Sequence, residues 1–158
     1  MNFYDAFPVL MDFEGHGILV DHPKDVPTKW GVTEAVARAA GFTGKMDDLT
    51  MGMAMGIAQN QYWDTVQADK LPEEIRYLVF DGAFNSGVRQ SVKWLQRACK
   101  VDDDGVIGPQ TLAALHKNDP NVLKMRICAQ RLEFLTDLSS FNVFGKGWTR
   151  RVAKIMEM

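Results

Sequence analysis

The sequence predicts a mainly α fold (α+β): one multi-helix domain with a small irregular hairpin or loop directly after the first helix. Three observations carry this. Apolar residues recur at helical spacing, beginning with Phe3, Phe7, Leu10 and Met11. Helix start and stop residues, among them Thr33, Thr50, Pro72, Gly87, Pro109 and Pro120, punctuate the chain at short intervals. Only residues 15–32 concentrate Gly, Pro and a short apolar run, Ile18-Leu19-Val20, so strand is expected there and nowhere else.

In chain order, residues 2–13 read as an amphipathic helix stopped by Gly15 and Gly17. Thr33 is placed to cap a helix through Ala40, closed by Gly41, and Thr50 to cap another through Trp63. Leu71-Pro72-Glu73-Glu74 starts a helix with proline in the first turn and acids at the positive dipole end. That helix runs to Asn85-Ser86, with Gly87 as its C′ residue. Val88, Val92, Leu95 and Cys99 share one face of the next. Asp102-Asp103-Asp104-Gly105 is a turn, and Pro109 opens a short helix to Leu115. A long helix starts at Pro120, with Val122, Ile127, Leu132, Leu135 and Leu138 at approximately helical spacing. A last amphipathic segment, Trp148 to Met156, carries Arg150, Arg151 and Lys154.

At 158 residues, 46% hydrophobic and 24% charged, the chain fits one domain that buries roughly two-thirds of its unfolded surface. No apolar run approaches the length of a membrane span. Met1-Asn2-Phe3-Tyr4-Asp5 lacks a basic region followed by an apolar one, so no secretory signal is expected. Cys99 and Cys128 are then expected as buried free thiols, a disulfide being unsupported. His16, His22 and His116 are too few and scattered for a metal site. Asp102-Asp103-Asp104-Gly105 lacks the ligand spacing and distal Glu of a calcium loop, so neither metal nor cofactor is expected. The net charge of −2 hides an asymmetry: residues 1–85 carry −7 and residues 86–158 carry +5. The basic half either steers the chain to an anionic polymer or is an ordinary solvated face. No nucleic-acid-binding module is recognisable.

The chemistry-bearing segment is residues 14–33. Glu14 sits where a helix ends and a glycine-rich turn begins, Asp21 and Asp25 follow, and Thr28 comes 14 residues after the glutamate. Glycosidic hydrolysis needs a carboxylic acid to protonate the leaving oxygen and a second group across the sugar. A helix-end glutamate beside Phe13 and Leu10 is placed to keep its proton; a loop aspartate stays ionised; a threonine hydroxyl holds a water, which favours inversion. Locally, the same residues also describe a surface glutamate and turn-forming aspartates. Asn85 is either a helix-end cap or a contact to an N-acetyl group or sugar hydroxyl. Tyr62 and Trp63 are adjacent on a helix, so one faces a cleft (Tyr62 is favoured) and the other the core. Trp30 is cleft wall or core.

In its order of motifs the chain resembles glycoside hydrolase family 108. Glu14-Gly15-His16 stands where the family has Glu-Gly-Gly, and Thr28-Lys29-Trp30-Gly31-Val32-Thr33 matches its Thr-x-x-Gly-Ile-Thr. Tyr62-Trp63-Asp64, Leu71-Pro72, Phe80-Asp81-Gly82-Ala83-Phe84-Asn85-Ser86-Gly87, Leu95-Gln96 and the run from Asp104 to Leu115 are also similar, so the likeness spans roughly residues 7–135. The family's Asp-Pro-Gly-Gly is replaced by Asp25-Val26-Pro27, which leaves Asp21 as a competitor to Asp25.

This resemblance implies a lysozyme-like fold and an N-acetylmuramidase acting on bacterial peptidoglycan. Glu14 would be its general acid, Asp25 and Thr28 its other catalytic residues, and Asn85, Tyr62, Trp30 and Asp21 its substrate contacts. Residues 1–87 correspond to the catalytic part. Residues 88–158 resemble a small peptidoglycan-binding module, the same residues being explained alternatively by packing. Many members are phage endolysins, which implies a monomer waiting in the host cytoplasm for a holin, its basic tail (Lys146, Arg150, Arg151, Lys154) touching an anionic envelope. The alternative is a non-catalytic wall-binding or secretion-promoting protein of the same fold.

Overall fold

The computed structural model describes residues 1–14, 20–21 (backbone only) and 27–158. They form eight α-helices and one three-stranded antiparallel sheet. The chain divides into two compact units, Asn2–Tyr62 and Trp63–Met158, the second also taking in Met1.

The first unit opens with α1, Phe3–Glu14. Asn2 and Asp5 cap it reciprocally: each side chain accepts the other's backbone N–H at 3.1 Å. Phe3, Phe7, Leu10 and Met11 are buried as the sequence predicted, and Ala6 completes the i, i+3, i+4, i+7, i+8 stripe. Strands β1 (Val20–Asp21), β2 (Pro27–Lys29) and β3 (Val32–Thr33) follow in order. These are the only strands among the described residues, and they lie within the one segment expected to hold any.

Thr33 then caps α2, Glu34–Ala39, accepting the Val36 N–H. Thr50 caps α3, Met51–Ala58, through the Met53 N–H at 3.2 Å. The helix does run on to Trp63, but as a five-residue π turn from Gln59.

The second unit is helical. It contains α4 (Glu73–Ser86), α5 (Val88–Cys99), α6 (Pro109–Leu115), α7 (Pro120–Thr136) and α8 (Phe141–Glu157). Pro72 is the N-cap of α4, one position ahead of its expected place in the first turn. Three further expectations need correction. Val122 is exposed and Leu123 takes its place in the core, because α7 presents Leu123, Ile127, Cys128, Arg131 and Leu135 inward. The last helix begins seven residues before Trp148, since Phe141 and Phe144 pack at a tilt against Trp148 and extend its apolar face. Arg151 belongs to the interior rather than to a basic tail: it is 8% exposed and bound to a buried carboxylate.

That carboxylate is Asp81 of α4, fully buried. Arg151 of α8 donates to Oδ1 through Nε at 2.9 Å and Nη2 at 2.7 Å, and Nη1 of buried Arg131 in α7 lies 2.7 Å from Oδ2. Burial, reinforced by the Asp81 charge, pushes the Tyr77 hydroxyl far above its usual range, so it stays a neutral donor to Asp81. Three helices are thereby pinned at one buried point. Two cations against one anion are tolerated in low dielectric only with close ion-pair geometry of this kind.

Cys99 and Cys128 are buried free thiols, as expected, and burial raises the pKa of both.

Candidate active site

Glu14 is the last residue of α1 and is half-buried. Fourteen residues on, Thr28 is the middle residue of β2, half-buried, with Val20 opposite it on one side and Thr33 on the other. Opposed residues of antiparallel strands project to the same face, so Thr28 and Thr33 share one. Asp21 pairs with Pro27 in the β1–β2 ladder. Asp25 and His16 lie outside the described residues.

Trp30 and Gly31 form the two-residue turn between β2 and β3, with φ of 54° and 71°. Two consecutive positive φ values define a type I′ hairpin, which normally selects Asn or Gly at its first position. A tryptophan is held there by a bond from its indole N–H to the Leu49 carbonyl at 2.9 Å. Trp30 is half-buried, with its ring anchored by that bond. Lys29, beside it, donates to the Asp47 carbonyl.

Trp63 is 1% exposed and packs edge-on against Phe80 at 5.2 Å between ring centroids. It is the core member of the aromatic pair. Tyr62, the neighbour favoured for a cleft, is half-buried, and burial raises its pKa. Within the first unit a cavity of about 480 Å³ is lined by Phe42, Met53, Ile57, Asn60 and Gln61 together with Ala40 and Gly41 just past α2 and Gly56 of α3. Apolar walls with two amides are the make-up of a neutral polar ligand site.

In the second unit Asn85 is exposed near the end of α4, and no hydrogen bond engages its amide among the described residues. It is not the cap; the helix ends instead on Gly87 at φ 92°, whose N–H bonds to the Ala83 carbonyl. Asn85 and Ser86 line a second cavity with Phe134, Leu135, Leu138 and Trp148. Sequence reading missed the last four as a group. The available signal was the i, i+3, i+7 spacing of Phe141, Phe144 and Trp148, which sets Trp148 in a row of tilted aromatic contacts.

The second-half signature has a different character. Buried Gln96 donates to Asp104 Oδ1 (2.7 Å), the Val106 carbonyl (3.0 Å) and Thr111 Oγ1 (3.2 Å), while its own carbonyl accepts the Gly105 N–H at 2.8 Å. The Gln96 and Val106 donors hold the Asp104 pKa below its usual value. Gly105 has φ 81°, and a Cβ there would lie 2.5 Å from Arg89 Cγ. Arg97 binds Asp103 at 2.5 Å. Asp104, Gln96 and Thr111 are thus occupied by one another and by backbone, and Asp103 by Arg97, which is the packing explanation of the motif.

Short antiparallel strands after a first helix that ends in glutamate, within a mainly helical chain, define a lysozyme-like protein. The chain belongs to the glycosyl hydrolase 108 family, whose model matches residues 7–87. Residues 90–153 match a second model, described as a predicted peptidoglycan domain. Among solved structures, Brucella abortus SagA is similar, with 38% sequence identity over 98% of this chain and 91% of that one and a TM-score of 0.89. No protein of curated function matches significantly. Together these make the chain a peptidoglycan-directed protein, a glycoside hydrolase or a binder of the wall polymer.

Proposed function

We propose that the protein is an N-acetylmuramidase that cleaves the β-1,4 bond between N-acetylmuramic acid and N-acetylglucosamine, with Glu14 as general acid. The observation that carries this reading is the position of Glu14 inside the hydrolase match, at the end of α1, followed by a sheet whose middle strand bears Thr28. The Glu14 carboxyl protonates the departing glycosidic oxygen. Asp25, or Asp21, supplies the second carboxylate, and Thr28 holds the attacking water, which leads to inversion at the anomeric carbon. Asn85, Tyr62 and Trp30 contact the substrate. The test is digestion of purified sacculi followed by mass spectrometry of the muropeptides. New reducing ends on N-acetylmuramic acid are expected; reducing ends on N-acetylglucosamine, or none at all, overturn the assignment.

A second reading, a wall-binding protein without catalysis, is favoured by the peptidoglycan-domain match over residues 90–153. Sedimentation with sacculi without release of reducing ends identifies it. The biological setting proposed from the family likeness is lysis of a phage host by a monomeric enzyme released through a holin. Cell lysis on expression that requires co-expression of a membrane-permeabilising protein tests it. Envelope contact falls to exposed Lys146, Arg150 and Lys154.

A further inference from the structure

Within the second unit, Asn85 and Ser86 at the end of α4 face Phe134 and Leu135 of α7, Leu138 just beyond it, and Trp148 of α8 around a cavity of about 270 Å³. Three properties separate this cavity from a packing defect. The Asn85 amide at its edge is exposed and unbonded among the described residues. Its aromatic wall is pre-formed: Trp148 leans on Phe144 and Phe141 with centroids 5.8 and 6.4 Å away, and Phe134 meets Trp94 edge-on at 5.4 Å. Its lining also draws on both matched segments, Asn85 and Ser86 from the hydrolase match and the others from the peptidoglycan-domain match.

We propose that this cavity is a glycan subsite that seats one N-acetylhexosamine of the peptidoglycan strand. An acetamido group presents a carbonyl acceptor, an N–H donor and a methyl. The Asn85 side chain offers the complementary donor and acceptor, Leu135 and Leu138 cover the methyl, and the Trp148 indole takes the C–H face of the sugar ring. At about 270 Å³ the space is near the lower end of small-ligand sites, roughly 300–1,000 Å³, which suits one sugar rather than a muropeptide. A stem peptide, the other component of the polymer, carries carboxylates that call for cationic partners. None of the six lining residues is charged. The proposal takes the polymer from the muramidase reading and owes nothing to Glu14.

The test is an NMR titration of ¹⁵N-labelled Glu14→Gln protein with chitotetraose and with cellotetraose, which has hydroxyls in place of acetamido groups. Chitotetraose is expected to shift the Trp148 indole N–H and the Asn85 side-chain amide saturably, and cellotetraose to leave both in place. Asn85→Ala and Trp148→Leu should each weaken binding about tenfold. Trp148→Leu also disturbs ring packing, so Asn85→Ala, which removes an exposed and unbonded side chain, is the decisive variant. Equal shifts with both sugars, no shift at either group, unchanged affinity of Asn85→Ala, or a response to a glycan-free stem peptide alone overturns the proposal. Wall lysis by Glu14→Gln overturns the acid assignment and leaves the subsite standing. Glu14-dependent lysis with no shift removes the subsite alone.

Discussion

The two compact units carry their family signatures for opposite reasons. In residues 2–62 the signature residues stand where regular structure gives out: Glu14 ends a helix, Thr28 lies in a three-residue strand, and Trp30 occupies a left-handed turn position. In residues 63–158 they stand where structure is most tightly closed, with Gln96 bonded to the turn around Asp104-Gly105 and Asp81 gripped by two arginines. The proposed chemistry lies with the first pattern, and the second holds the helices together.

This contrast is sharpest at Glu14. Glu14→Gln should reduce reducing-end release from sacculi by about 10²–10⁴-fold while thermal stability and sedimentation with sacculi stay at wild-type levels. A comparable loss of melting temperature would place Glu14 with the architectural residues instead. The mirror experiment is Asp81→Ala, which leaves two buried guanidinium groups without their anion. It should cost about 3–5 kcal/mol in denaturant unfolding, and any activity loss should follow the unfolded fraction.

Gln96→Ala is expected to destabilise by about 1–3 kcal/mol, since it leaves buried partners unsatisfied. Sacculus binding at a temperature where the variant is folded should be unchanged. Binding lost without destabilisation would mean the motif reads the wall directly. Trp30→Phe removes the N–H bonded to Leu49 together with part of the half-buried ring, and should cost at least about 0.5–1.5 kcal/mol. A rise in KM with kcat intact would add a substrate contact to its anchoring role.

The smallest effect concerns acid. Asp104 is held below its ordinary value of 3.8 in the fold, so its contribution is complete above that value and fades as pH falls through the lower folded one. Thermal melts between pH 6 and pH 2 should show this loss in the wild type and a flatter profile in Asp104→Asn.

Helix placement was legible because the physics is local. The Thr33 and Thr50 caps, the Pro109 and Pro120 starts and the stripe from Phe3 to Met11 are settled within a few residues of themselves. Arg151 was not legible: an arginine seventy positions from Asp81 in an otherwise basic helix carries no mark of where it points. Val122 and Leu123 differ by one step on the helix, and only the packing of α7 tells which faces inward. At the candidate site, the order and spacing of motifs nominated Glu14, Thr28 and Asn85 through the family resemblance. The aromatic wall beside Asn85 was not visible, because Phe134, Leu138 and Trp148 meet it only through tertiary packing.

The grip on Asp81 also bears on how such proteins can be recombined. The carboxylate lies in the stretch matched as hydrolase, and both arginines lie in the stretch matched as peptidoglycan module. A chimera spliced at residue 87 would give α4 a foreign set of helices and strand a charged group in a greasy interior. A splice at residue 62 would carry anion and cations together. Shuffling between relatives is therefore expected to conserve 63–158 as the inherited block, and a library built on that seam should yield more soluble progeny than one built on the family boundary.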